Sequence, residues 1–141
     1  MEERLGRELA MAAKAARAHF DQALVGIGSS FQTYLVLRHV DRNRGVPQRE
    51  LARLLGIENS TLTHHLDRLE AGGLVERVRS RDDRRMSATV LTTTGRAHLR
   101  KTGKLAEQMD AEFRDLFSGD ELQTLRDCLR RIVDKYGEGR W

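Results

Sequence analysis

The chain has 141 residues, of which 33% are charged and 39% hydrophobic, with a formal net charge of +4 and a pI near 9.7. A chain of this length is expected to form one domain and to bury roughly 68% of the surface that its unfolded form exposes. It has no apolar run near the ~20 residues of a membrane span, no signal-peptide pattern and one cysteine, so we expect a cytoplasmic protein without an internal disulfide.

The N-terminal segment predicts an amphipathic helix from about Arg4 to Leu24. Its apolar residues recur three or four apart: Leu5, Leu9, Ala12, Ala16 and Phe20. This stripe is narrow and rich in alanine, which lets another helix approach closely. A second subunit is a candidate for that partner. The glycines of Gly26-Ile27-Gly28 end the helix, and Ser29 or Ser30 can cap the next one.

The second predicted helix, from Phe31 to about Asn43, is apolar on two sides. One side carries Thr33, Val36, Leu37 and Val40, and the other carries Phe31, Leu35 and the ring of His39. A helix with two apolar sides is packed between two layers. A cavity between those layers is therefore expected along this helix.

Residues 46–71 predict two short helices joined by a tight turn. Pro47 suits the first helical position, and Gly56 suits the end because glycine adopts a positive φ at little cost. Leu51, Leu54 and Leu55 give the first helix its apolar face. The second helix is expected to begin with Asn59 or Ser60 as the N-cap.

The second of these helices has a leucine side and a polar side. Leu62, Leu66 and Leu69 lie on the first, and the other carries Ser60, Thr61, His64, Arg68 and Ala71. Short hydrogen-bonding groups followed by a cation suit a helix whose N-terminal part enters the DNA major groove. An ordinary solvated helix face is the alternative.

A two-stranded hairpin is predicted next. Gly72-Gly73 ends the helix, the first strand covers Leu74 to Arg79, and the second covers about Arg85 to Leu91 with Met86, Ala88 and Val90 on one face. Five arginines and two aspartates lie between positions 77 and 85. A guanidinium can enter a narrow minor groove or bind phosphate in a fork, which favours a DNA-binding wing over a merely soluble loop.

The C-terminal segment predicts two more helices. Thr92 can cap a helix from about Thr93 to Phe117, which would be some 35 Å long and carries the stripe Leu105, Met109, Phe113 and Leu116. Ser118 to Glu121 matches a capping box. The last helix has one wide apolar face: Leu122, Leu125, Leu129, Ile132 and Tyr136. Such a face indicates either an intertwined dimer or packing against the chain's own core.

Other chemistry has little support. The five histidines are His19, His39, His64, His65 and His98. Adjacent helical residues point about 100° apart, and no metal-ligand spacing is present, so no metal or other cofactor is expected. Cys128, beside the apolar stripe of the last helix, is interpreted as a packing residue rather than a reactive thiol. No catalytic motif is present, so the chain is not expected to be an enzyme.

Three segments, QRELARLLGI, STLTHHLDRLEAGGLVERV and DDRRMSATVLTTTG, resemble the MarR family of winged-helix transcriptional regulators. The specific pieces are the leucine-rich helix-turn-helix, LExxGLVxR from Leu69 to Arg77, DxR at Asp83 and Arg85, and LTxxG from Leu91 to Gly95. The close similarity covers about 50 residues, and the flanking helical pattern fits the same architecture. One departure is His64, where many relatives of this subtype carry arginine.

The resemblance implies a mainly α fold with a small β-hairpin. Residues 1–141 would form a single domain, with a winged helix-turn-helix DNA-binding lobe at 46–91 and dimerisation helices at 1–28 and 105–141. It also implies a homodimer that represses transcription on pseudo-palindromic DNA and is released by a small aromatic or phenolic effector. Arg85 would enter the minor groove, and Asp83 would hold the wing in shape by pairing with a nearby arginine.

The expected DNA-binding residues fall into two groups. Those expected to contact base edges are Ser60, Thr61, His64 and Arg68; those expected to contact phosphate are Arg77, Arg79, Arg81 and Arg84, with Arg85 in the minor groove. The expected effector pocket is lined by His19, Phe31, Leu35 and His39. Two alternatives remain open: a winged-helix module that binds a protein partner, and a nonspecific chromosome-shaping protein.

Overall fold

The computed structural model describes residues 4–79 and 87–137, which form six helices and one antiparallel hairpin. In chain order these are α1 (Leu5–Val25), α2 (Phe31–Arg42), α3 (Gln48–Leu55), α4 (Asn59–Ala71), β1 (Val75–Arg79), β2 (Ser87–Leu91), α5 (Thr93–Asp115) and α6 (Gly119–Tyr136). The predicted fold class, mainly helical with a small hairpin, is confirmed.

Most predicted helix ends are confirmed by their capping contacts. The side chain of Ser30 accepts from the backbone N–H of Thr33, and that of Thr92 accepts from Gly95. Ser118 and Glu121 form the predicted capping box, whose hydrogen bonds hold the pKa of Glu121 below its usual range. Gly56 ends α3 with a φ of 68°, a left-handed conformation that favours glycine.

Three predicted ends were wrong. Pro47 is the N-cap of α3 rather than its first helical residue, and Glu58 is the N-cap of α4 without a side-chain cap. Asn59 does not cap α4, because its side-chain oxygen accepts a hydrogen bond from Gln48 of α3 instead. Helix α5 ends at Asp115 and not at Phe117, since the next two N–H groups bond three residues back, which is a tighter turn.

Two clusters of buried residues meet on α2. Val36, Leu37 and Val40 belong to the core of the lobe formed by α3, α4 and the hairpin, and Phe31 and Leu35 pack on a second cluster with α1 and α5. This confirms the prediction that α2 is packed between two layers. Tyr34, which the helical pattern did not assign to either side, is buried in the second cluster with its ring centroid 5.1 Å from that of Phe20.

One face of each strand of the hairpin packs against the helices of the lobe. Val75 pairs with Leu91 and Arg77 pairs with Thr89. The buried residues of β2 are Thr89 and Leu91, so the face with Ala88 and Val90 is the more exposed one. Met86, which we expected on the same face, lies outside the described residues.

Helix α6 does not add to the core of its own chain. None of the residues described in α6 is buried, and Leu129, Ile132 and Tyr136 are 38%, 37% and 77% exposed. Over most of its length, its wide apolar face is therefore left uncovered by the described residues of the same chain. Among the described helices, none combines the length and the hydropathy that crossing a membrane requires.

Candidate nucleic-acid interface

Helix α4 has the two sides that its sequence predicts. Leu62, Leu66 and Leu69 are buried in the core of the lobe. The side chains expected to contact DNA lie on the exposed side: Ser60, Thr61, His64 and Arg68. Burial of three leucines against α2, α3 and the hairpin fixes the helix, so that its polar side is held toward solvent.

The N-terminal turn of α4 is tied to α3 by Gln48. The side-chain nitrogen of Gln48 donates to Asn59 Oδ1 at 3.1 Å and to Thr63 Oγ1 at 2.8 Å. The Thr63 hydroxyl in turn donates to the carbonyl of Asn59. Both residues lie on α4, so one glutamine fixes the end of the helix that carries Ser60 and Thr61. Gln48 was not among the residues predicted from the sequence.

Arg68 has a neighbour on its own helix. Its guanidinium donates to His65 Nδ1 over 3.1 Å. Burial lowers the pKa of His65 below its usual range, and the guanidinium of Arg68 and the neighbouring His64 lower it further. A neutral His65 can accept this hydrogen bond, which orients Arg68 on the exposed side of α4.

Arg77, one of the residues expected to contact phosphate, makes three contacts within the protein. Nη1 lies 2.6 Å from Asp67 Oδ1, and Nη2 donates to the carbonyl of Thr63 at 3.1 Å. The backbone N–H of Arg77 also donates to Glu70 Oε2 at 3.0 Å. All three acceptors lie on α4. The first strand of the hairpin is therefore fastened to the middle of that helix.

Of the other residues predicted to act in the wing, the structure describes only Arg79. Arg79, the last residue of β1, is exposed. The other positions singled out in the wing lie outside the described residues: Arg81, Asp83, Arg84 and Arg85. Their roles stay predictions.

The lobe is connected to α5 by short contacts. The hydroxyl of Thr92 donates to the carbonyl of Gly73 at 2.6 Å, and its backbone N–H donates to the carbonyl of Leu74 at 3.1 Å. Gly95 packs directly against the backbone of Leu74. The start of α5 and the turn between α4 and β1 are thus one rigid junction, and a movement of α5 would move α4.

A cavity of about 330 Å³ lies between α1, α2 and α5. It is lined mostly by apolar side chains, with one cation and one carboxylate: Ala13, Ala16, Arg17, Phe20, Phe31, Ala106, Met109, Asp110 and Phe113. The guanidinium of Arg17 lies over the ring of Phe31, 4.8 Å from its centroid. The volume falls within the range of small-molecule sites.

The four predicted pocket residues are not brought together in this cavity. Phe31 lines it, whereas His19 lies beside Glu112, with 2.8 Å between Nε2 and Oε2, and faces a different groove. Nδ1 of His39 is 2.8 Å from the carbonyl of Leu35 on the same helix. Neither Leu35 nor His39 lines the cavity at Phe31 or the groove at His19.

That groove runs between α1, the end of α5 and α6, with a volume of about 680 Å³. Its lining is almost entirely apolar and includes Leu9, Ala12, Ala16, Phe113, Leu116, Phe117, Leu122, Leu125 and Leu129. Outside the groove lining, Leu5 and Met11 of α1 are 68% and 56% exposed. A single chain thus exposes much of the apolar face of α1 and of α6.

No other chemistry is assembled in the part of the chain that the structure describes. Within residues 4–79 and 87–137, no three histidine, cysteine, aspartate or glutamate side chains are grouped as metal ligands. Cys128 is exposed on α6, so the packing role expected from the sequence is not fulfilled within one chain.

Comparisons with known proteins agree with this architecture. The model of the MarR family matches residues 27–86. The HTH-type transcriptional regulator YdgJ of Bacillus subtilis (strain 168) is 30% identical over 112 residues, which are 79% of this chain and 66% of the length of YdgJ. The chain thus spans about two thirds of this relative.

Solved structures are similar over nearly the whole chain. The transcriptional repressor CouR, bound to a 23-mer DNA duplex, superposes with a TM-score of 0.85 at 32% identity, covering 92% of each chain. A mutant MarR from E. coli, complexed with operator DNA, superposes with a TM-score of 0.83 at 26% identity, covering 92% of this chain and 93% of that one. Both comparison structures contain DNA.

Proposed function

The chain belongs to the MarR family of transcriptional regulators, and from that premise we propose that it represses transcription by binding operator DNA as a homodimer. The observation that carries the proposal is α4, whose leucine side is buried while Ser60, Thr61, His64 and Arg68 remain exposed. The family consists of regulators, so the chain is not an enzyme. A cytoplasmic location follows from operator binding and is part of the proposal.

Two subunits would place their α4 helices in successive major grooves, with centres about 10 base pairs apart. The exposed side of α4 would contact base edges, and Arg79, Arg81 and Arg84 would contact phosphate. In this proposal, residues 46–91 form the DNA-binding lobe. Residues 1–28 and 105–141 form the dimerisation helices. The apolar groove between α1 and α6 supports the dimer, since a second subunit would cover it.

Fluorescence anisotropy tests operator binding. The purified protein is titrated with the duplex upstream of its own gene, with a duplex selected from a random library, and with a scrambled duplex, at several salt concentrations. We expect the operator to be preferred by about 10³-fold or more, with a salt dependence that reflects several phosphate contacts. Equal affinity for all duplexes would reject the proposal. Tight equal binding would favour a nonspecific chromosome-shaping protein, and weak equal binding a module that binds a protein partner.

Replacing Arg85 with alanine tests the wing. If this arginine enters the minor groove, as the DxR motif implies, the substitution should cost about 1–3 kcal/mol of operator binding. Arg130→Ala is the matched control, because it removes the same charge from an exposed position on α6. Anisotropy on the selected operator is the measurement. Equal affinities for the two variants would exclude a specific role for Arg85.

We also propose that a small aromatic carboxylate or phenol binds in the cavity between α1, α2 and α5. Apolar walls, the ring of Phe31 and the guanidinium of Arg17 suit a flat anion. The effector would favour a spacing of the two lobes that does not match the operator, and the junction between α5 and the lobe would transmit the change. A preference of about 2–3 kcal/mol for that spacing weakens DNA binding some 30- to 150-fold.

Filling the cavity tests this release mechanism. A panel of such acids and phenols is screened by calorimetry, and the ligands that bind are added to the anisotropy assay. Ala106→Leu should abolish both binding and release, because the larger side chain occupies the cavity. Ala97→Leu, an exposed position on the same helix, should leave both intact. Heat with no change in operator affinity, or unaltered binding by the filled variant, would overturn the assignment.

A further inference from the structure

Three nitrogens of Arg77 contact α4. Two nitrogens of its guanidinium contact Asp67 and Thr63, and its backbone N–H contacts Glu70. The side chain is only 23% exposed, and its Nε is buried without a hydrogen-bond partner among the described residues. Reaching a phosphate would break the ion pair with Asp67 and the hydrogen bond to the Thr63 carbonyl together.

The three acceptors on α4 are spaced so that a single residue of β1, Arg77, can form hydrogen bonds to all of them. Thr63, Asp67 and Glu70 are four and three residues apart, which places them on one side of the helix, facing β1. Thr63 also contacts α3, since its hydroxyl accepts a hydrogen bond from the side chain of Gln48. The helix is thus held at the same residue by α3 and by the hairpin.

We propose that Arg77 and Asp67 form a clamp that fixes the orientation of α4 relative to the hairpin. In this role Arg77 is a positioning residue, and it replaces the phosphate contact that the sequence suggested. The inference rests on the proposed function, because orientation matters only if α4 and the wing enter neighbouring grooves. Rotation of α4 by a few degrees would displace Ser60 and Thr61 from base edges while the phosphate contacts stay available.

The two possible roles of Arg77 predict opposite effects of removing Asp67. If Arg77 contacted phosphate, the neutral variant Asp67→Asn would free the arginine and remove a negative charge near DNA, so binding would tighten. If the pair is a clamp, the same variant loosens α4 and weakens operator binding despite the more favourable charge. The sign of the effect therefore distinguishes the roles.

The experiment compares Asp67→Asn and Arg77→Lys with the wild type on the selected operator and on a scrambled duplex. We expect both variants to lose about 10-fold or more in operator affinity. We expect little change on scrambled DNA, and an unaltered salt slope for Arg77→Lys. A general loss of folded protein would lower both affinities by the same factor, so the ratio of the two is the diagnostic quantity. Thermal unfolding verifies that each variant is folded.

Two controls make the result specific. Asp115→Asn removes the same charge at the exposed end of α5 and should leave the ratio unchanged. Arg79→Ala, two residues along β1, should reduce the salt slope by about one per site with little effect on the ratio. Tighter operator binding by Asp67→Asn, or an unchanged ratio in both clamp variants, would overturn the proposal.

Hydrogen exchange of the free protein separates failure of the clamp from failure of the proposed function. If the wild type has no preferred sequence, the proposed function fails, but the clamp is still tested. Asp67→Asn should accelerate exchange about 10-fold in the second half of α4 and in β1, and leave α6 unchanged. Unaltered exchange in α4 and β1 would reject the clamp independently of any DNA.

Discussion

Replacing Gly95 with alanine is expected to lower the free energy of unfolding by about 3 kcal/mol, although glycine-to-alanine changes inside helices usually stabilise. A Cβ at this position would overlap the carbonyl oxygen of Leu74 and lie 2.9 Å from its carbonyl carbon. These are backbone atoms held by the hydrogen bond from the Thr92 N–H, so they cannot move aside as a flexible side chain would. Denaturant unfolding followed by circular dichroism measures the loss.

The matched control lies two turns further along the same helix. A Cβ at Gly103 meets nothing within 4 Å, so Gly103→Ala should stabilise the protein by about 0.5–1 kcal/mol. The two variants make the same chemical change in one helix, and we expect opposite signs. Stabilisation by Gly95→Ala would contradict the close approach of α5 to the turn before β1.

The Gly95 contact also bears on how the lobe is connected to the rest of the molecule. Because α5 starts against the backbone of Leu74, the turn that follows α4 cannot shift without shifting α5. Thr92 adds two hydrogen bonds to Gly73 and Leu74 at the same place. A Gly95→Ala protein that still folds should therefore also show a reduced response of operator affinity to any effector bound beside α5.

The sequence was sufficient where a structural feature depends on neighbouring residues in the chain. The left-handed end at Gly56, the cap at Thr92 and the capping box at Ser118 each involve groups within a few residues. The leucine side of α4 was predictable because helical periodicity alone determines which residues share a face. These features established the ends of the helices and the exposed side of α4.

Features that depend on crossing elements were not predictable. Gln48 reaches Thr63 across 15 residues, and Arg77 reaches Asp67 across 10. In the sequence, Arg77 was one of five arginines in a basic stretch, so a phosphate contact was the natural expectation. A usable signal was present, since Thr63, Asp67 and Glu70 share one side of α4, away from its leucines. Recognising it requires knowing that β1 runs along that side.

The predicted effector residues show the same limit. Periodicity placed Phe31, Leu35 and His39 on one side of α2, but it could not show how deeply each lies. His39 is four residues from Leu35, and its ring nitrogen lies against that residue's carbonyl. Arg17, which does line the cavity, belongs to the charged side of α1 and gave no sequence signal. A cavity wall is set by the spacing of three helices, which no single helical pattern encodes.

Replacing Leu129 with glutamate is expected to dissociate the proposed dimer and to weaken operator binding by about 100-fold or more, because a dimer binds two half-sites with avidity. Leu129 is 38% exposed and lines the apolar groove between α1 and α6, so a second subunit would bury it. A carboxylate there would have to be desolvated in the assembly, whereas in the free subunit it stays in water. Light scattering measures the mass, which should fall from twice 16.1 kDa to 16.1 kDa.

Gln123→Glu is the control for charge, since it adds the same carboxylate to an exposed position on α6 outside the groove lining. It should leave both the mass and the operator affinity unchanged. Affinity for scrambled DNA should fall much less than affinity for the operator, because each isolated lobe keeps its own phosphate contacts. A Leu129→Glu protein that remains dimeric would show that this face of α6 is not the interface. A monomer with full operator affinity would show instead that one lobe suffices, and the proposed binding to two successive major grooves would fail.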